Sequence, residues 1–156
     1  MMKKTDHYWL VLVQWVIAAE WLLSGVGKFT KPDFMNGIAS TLKAFEAKTN
    51  FEWYQSLMSN WLVPNAQLIG NVVRVSEVGI ALALLVLGYL SIQRKKVSQT
   101  LVMGLVVALY AGALLNLNFY LAAGWSSPST KGVNIVMGLV QAILGTYYLL
   151  RLKETK

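Results

Sequence analysis

The sequence predicts an all-α integral membrane protein, a four-transmembrane-helix bundle with one or two short amphipathic helices in its first extracytoplasmic loop. Three observations predict it. The apolar residues fall in four long blocks. Only 13% of the chain is charged against 56% hydrophobic, where a soluble domain carries about a quarter charged residues. No block shows the period-two alternation of a membrane barrel strand. The 156 residues then make one membrane domain, spanning 1–156, and their mean hydropathy is +0.50.

The first block runs from about Tyr8 to Gly27, near the roughly 20 residues that cross a ~30 Å hydrocarbon core as a helix. Lys3 and Lys4 ahead of it give a signal-peptide look. The block is too long for an ordinary signal core, however, and carries Gln14 and Glu20, so it reads as a retained span.

Residues 28–67 form a loop too long for a plain connector. Phe34, Ile38, Leu42 and Phe45 stand at helical spacing within it, and so do Tyr54, Leu57, Met58 and Trp61. Polar residues occupy the other faces, which predicts two short helices lying at the membrane interface as an anchor and lid. Trp53, Tyr54 and Trp61 suit that depth.

Span two follows over about 68–92, span three over 97–116 and span four over 133–150. Eight cations flank one side: Lys3, Lys4, Arg94, Lys95, Lys96, Arg151, Lys153 and Lys156. The other side has Lys28, Lys31, Lys43, Lys48 and Lys131, diluted by Asp33, Glu46 and Glu52. The positive-inside rule therefore places both termini in the cytoplasm, in a multi-pass protein of the cytoplasmic (inner) membrane. The net charge of +7 belongs to these span ends, and without an arginine-rich helix or aromatic-basic interleaving it does not predict nucleic-acid binding.

The chain has no cysteine and one histidine, His7. Disulfides, thiolate metal sites and bis-histidine haem are excluded within one subunit, so no metal, haem or thiol cofactor is expected. A redox role would rest on a diffusible cofactor or on a partner.

Ionisable side chains in a span are expensive and usually face a cavity or pathway. Counted at 1.5 Å per residue from the outer ends, Glu20, Arg74 and Glu77 fall in one outer-leaflet layer with Lys28, Asn116 and Asn118. Arg74 and Glu77, at i and i+3, can meet on one face, with Glu20 compensating Arg74 from span one. Two readings coexist: a structural ion-pair lock, and a site in which Glu77 and Glu20 move protons. Lys28, Arg74, Asn116 and Asn118 would then hold an oxyanion, and Trp21, beside Glu20, could wall a flat ring.

Three stretches, "WLLSGVGKFTKPDF", "WLVPNAQLIGNVVRVSEVGIALALLVLG" and "NLNFYLAAGWSSPS", together resemble the DoxX/DoxD family of small four-helix membrane proteins. The matches bring in Gly25, Lys28, Pro64, Asn65, Glu77, Gly79, Asn116, Asn118, Phe119 and Gly124. Where that family's last motif continues with asparagine–proline, this chain has Ser127–Pro128. The resemblance implies a thiosulfate:quinone oxidoreductase or a subunit of one, oxidising thiosulfate or another small sulfur anion and passing electrons to a diffusible membrane quinone, which would lie against Trp21 and Phe119. Two other readings stand beside it: a non-catalytic membrane anchor or assembly subunit for a redox partner, and a small anion or proton carrier. The partners implied are the lipid bilayer and a second oxidoreductase subunit, and a homo-oligomer is compatible with each reading.

Overall fold

A computed structural model describes residues 4–93 and 98–154. Six α-helices make it up: α1 (Lys4–Thr30), α2 (Asp33–Lys48), α3 (Glu52–Leu57), α4 (Ala66–Gln93), α5 (Gln99–Ala123) and α6 (Pro128–Glu154). A π-helical turn, Met58–Leu62, prolongs α3. Four of these helices are long and apolar enough to cross a membrane: α1 over Tyr8–Thr30, α4, α5, and α6 over Pro128–Leu152. The chain is a multi-pass membrane protein. Among the cations that set the predicted orientation, Lys3, Arg94, Lys95, Lys96 and Lys156 lie outside the described residues.

Three spans extend beyond the hydropathy blocks. Helix α1 continues past Gly27 to Thr30, so Lys28 sits on the helix and not after it. Helix α5 runs to Ala123, which puts Asn116, Asn118 and Phe119 within its last two turns. Helix α6 starts at Pro128, five residues before the apolar block. Proline at the first helical position loses no hydrogen bond, and Ser127 Oγ caps the turn by accepting from Thr130 N at 3.0 Å.

The loop helices form a lid over one end of the bundle. Helix α2 turns Ile38 and Leu42 inward as expected. In α3 and the π turn the inward row is Tyr54, Met58 and Leu62. Leu57 and Trp61, expected on that face, are exposed with Trp53, Trp61 also edging the space beneath the lid. Both rows have i, i+4 spacing, so the sequence pattern fits either face and contact with Ala66 and Ala122 decides. The outward row gives the lid the aromatic surface that interfacial helices carry.

Helix α1 packs along α4, and α5 along α6. Close approach rests on glycines. A Cβ on Gly88 would stand 2.7 Å from Gln14 Nε2 and 2.8 Å from Trp15 Nε1; without it, Gln14 donates to Leu84 O at 2.5 Å and Trp15 to Leu85 O at 3.3 Å. A Cβ on Gly112 would collide with the Gln141 amide. Gln141 lies 2.7 Å from both Trp21 Nε1 and Asn116 Nδ2, its oxygen accepting from one or the other according to which way the amide faces. Two buried amide layers result, one at Gln14 with Tyr148, whose hydroxyl donates at 3.4 Å, the other at Gln141. Between them each span contributes buried aliphatic residues: Ile17 and Ala18, Ile80 and Ala81, Leu109, and Leu144.

Candidate functional site

Beneath the lid lies a cavity of about 590 Å³ whose wall is mostly aliphatic and aromatic. Helix α1 brings Ser24 and Lys28, α5 brings Asn118 and Phe119, and the lid closes over them with Phe34, Ile38 and Tyr54. This volume lies in the range of small-molecule sites, which are apolar with a few placed polar groups.

The electrostatic centre is a buried ion pair. Lys28 Nζ donates to Glu77 Oε1 at 2.7 Å and to Oε2 at 2.6 Å, and to Ser24 Oγ at 2.7 Å. An ammonium has three N–H donors, so these bonds engage all of them. Glu77 is fully buried and Lys28 is 22% exposed. The Lys28 nitrogen also stands 5.8 Å from the Phe119 ring centre and 5.9 Å from that of Phe34, near the outer limit for cation–π attraction. A zero-charge polar anchor thus faces an apolar, aromatic-walled space.

The predicted partnering of Arg74 with Glu77 is not what forms. Residues three apart on a helix project about 60° apart around its axis. Glu77 turns into the bundle and meets Lys28 from α1. Arg74 stays half-buried at the rim, its guanidinium 4.6 Å from the Phe29 ring centre and donating to Asn71 Oδ1 at 2.5 Å. Its Nε is buried without a hydrogen-bond partner.

Glu20 is not in this layer either. The register sets Gly25 against Val78 and Phe29 against Arg74, which puts Glu20 about 13 Å deeper than Arg74 at 1.5 Å per residue. It is exposed on the flank of α1 that also carries Val16 and Leu23, and no hydrogen bond or ion pair among the described residues engages it.

Of the residues expected to bind an oxyanion, Lys28 and Asn118 reach the cavity, whereas Arg74 and Asn116 do not. Asn116 is buried below it, donating to Gly112 O at 3.2 Å and meeting Gln141. Of the two rings, Phe119 lines the cavity and Trp21 lies behind it, ring centres 6.3 Å apart. Among the described residues, no three His, Cys, Asp or Glu side chains gather as a metal-binding group.

Three contributors escape the sequence reading. Ser24 stands one turn before Lys28, where an i, i+4 contact was legible. Tyr54 was assigned to the interface for its ring, yet its hydroxyl donates to Asn118 Oδ1 at 3.0 Å and ties lid to bundle. Burial pushes the Tyr54 phenol up to about 12. Gln141 was signalled as the lone amide in an apolar run, since such residues face the bundle interior.

Comparison of the chain with protein-family models, curated proteins and solved structures gives no match in any of the three.

Proposed function

We propose that this chain is a membrane oxidoreductase subunit of the DoxX/DoxD type, and that the cavity beneath the lid receives the ring of a membrane quinone. The observation that carries the reading is the juxtaposition of a largely apolar space with Lys28 in its wall, paired behind that wall with the buried Glu77. A quinone ring is flat, uncharged and apolar, with carbonyl oxygens that accept hydrogen bonds. Its oxygen would take the donor that Lys28 gives to Ser24, while Phe119 and Phe34 face the ring.

Reduction of a quinone to hydroquinone takes up two electrons and two protons. Lys28 would stabilise negative charge as it develops on the oxygen, and the Glu77 carboxylate would take up protons from the lid side and relay them to replace the one that Lys28 passes on and to supply the second. The electrons would come from a small sulfur anion. Two thiosulfates joining through a new S–S bond to give tetrathionate release two electrons. Such an anion would act from the lid side, because Glu77 already neutralises Lys28.

The test is anaerobic reduction of a short-chain quinone by the purified protein in nanodiscs, with and without thiosulfate. Thiosulfate-dependent turnover that Glu77→Gln and Lys28→Met abolish, in variants with native tryptophan fluorescence, is the expected result. Quinone binding without turnover would shift the reading to a subunit that needs a redox partner. Absence of both turnover and quinone binding would overturn it in favour of a membrane anchor.

A further inference from the structure

The cavity does not end at the lid. Leu115 and Asn118 line both it and a groove between α4 and α5 on the lipid-facing side of the bundle. That groove passes Ser76 and reaches Gly79 and Ile80, which line in turn a third space running on past Gly104 to Thr100. From Asn118 to Thr100 the seam follows about 27 Å of α5, almost the full ~30 Å of a hydrocarbon core. In the seam a Cβ on Gly79 would meet nothing within 4 Å, whereas Gly88 and Gly112 are packed against neighbouring side chains. The three spaces share wall residues from one to the next, so the α4–α5 seam forms a trough leading from the cavity that narrows where Gly104 faces Leu87, whose Cδ1 is 3.1 Å from where a Cβ would stand.

We infer that this seam is the track for the hydrocarbon tail of the ligand whose head lies in the cavity, and that the ligand class is a long single-chain polyprenyl amphiphile with an uncharged head. The inference rests on the quinone reading above and adds to it where the tail goes and how long it is. Continuity decides against a helix as occupant, because a helix about 10 Å across cannot pass from the seam into the cavity, whereas a chain one or two carbons wide can. Length decides against an ordinary phospholipid. Its tails, anchored at one surface, reach only the bilayer midplane, about 15 Å, and fill half of the track. Neutrality follows from the head site, where Lys28 and Glu77 cancel. The tail gains little from leaving lipid for an equally apolar groove; what holds it there is its tether to a bound head, which raises its effective concentration at the seam.

The test uses two photoreactive benzoquinones on the intact protein in nanodiscs. One carries a diazirine beside the ring, the other at the far end of a long polyprenyl chain, and labelled residues are read by mass spectrometry. The expected result is ring-probe labelling at Phe34, Ile38 or Phe119 and tail-probe labelling at Met103, Gly104 or Val107. A short-chain quinone at about ten times its half-saturating concentration should lower both by about tenfold.

Ring labels in the cavity with tail labels scattered over lipid-facing Val16, Leu139 and Ile143 would sink the track and leave the quinone reading standing. Tail labels in the seam that the short-chain competitor does not displace would mean free lipid there, and would sink the track as well. No ring labelling in the cavity would remove the quinone reading and the track together. A dimer that Gly79→Leu dissociates, with no tail labelling in the seam, would make the seam a helix–helix contact and overturn the inference.

Discussion

Lys28 and Glu77 are most informative when removed one at a time and then together. Glu77 has no exposed surface and Lys28 keeps 22%, so either single replacement strands a charge that the bundle holds away from water. Glu77→Leu leaves the ammonium with Ser24 alone, and Lys28→Met leaves the carboxylate without its two short N–H bonds. Breaking a buried pair from one side costs about 3–5 kcal/mol, whereas replacing both members with apolar residues of similar volume is close to neutral. Each single variant should therefore melt roughly 10 °C below the wild type, and Lys28→Met/Glu77→Leu should return most of that loss. The double-mutant cycle then gives a coupling energy of about 3 kcal/mol or more. Thermal unfolding in detergent micelles, followed by tryptophan fluorescence, reads it directly. If each single variant costs under about 1 kcal/mol and the two losses simply add, the pair behaves as a solvated surface bridge and the argument from burial is wrong.

Other tests follow from the packing and the lid. Gly112→Ala, whose new methyl meets the Gln141 amide, should destabilise by about 1–3 kcal/mol. Gly27→Ala, with nothing within 4 Å of the new Cβ, should be neutral or gain up to about 1 kcal/mol of helix propensity; the same melting assay separates the two. Tyr54 holds its proton in the folded state up to about 12, above the ordinary 10 of a tyrosine. Its contribution is thus complete below pH 10 and is lost as the pH rises from 10 through about 12. Alkaline titration by ultraviolet difference absorbance should show one fewer late phenol in Tyr54→Phe than in the wild type, and that variant should also lose about 1 kcal/mol with the bond to Asn118. Trp53 and Trp61 are 61% and 53% exposed on the lid. Lipids brominated near the headgroup should quench them, and lipids brominated at the chain end should not; the opposite order would remove the lid from the interface.

The fold was legible where physics is one-dimensional. Four apolar blocks give four spans because a bilayer demands length and hydropathy above all, and Ile38 and Leu42 were readable as the buried face of α2. What hydropathy could not show is a polar turn that is nonetheless helical. The stretch from Pro128 to Gly132 opens α6 on a serine cap, and α1 runs on through Lys28 to Thr30, almost one turn past the end of the apolar block at Gly27. That extra turn matters for the site, since a lysine placed in a loop was not an evident partner for Glu77. Arg74 was, being three residues away in sequence. The choice between them depends on which way Glu77 faces, and Gly25 and Val78 set that at a helix contact that no single helix reveals. Asn118 was found by its depth in span three and Phe119 because the resemblance marked it, and their arrival at the same cavity as Lys28 needed the lid.

The aliphatic layer between the two amide layers has a consequence for energetics. Ile17, Ala18, Ile80, Ala81, Leu109 and Leu144 leave no buried side chain in the interior of that slice able to hand on a proton, since Glu20 and Thr146 at the same depth stand exposed on the outer flanks. On the quinone reading, a proton consumed by way of Glu77 would enter from the lid side, so turnover would displace little charge across the bilayer. Where the membrane voltage acts on a full charge crossing with about 2.3 kcal/mol per 100 mV, here it finds almost nothing to act on. The chemistry beneath the lid would proceed at the same rate in an energised membrane as in a discharged one.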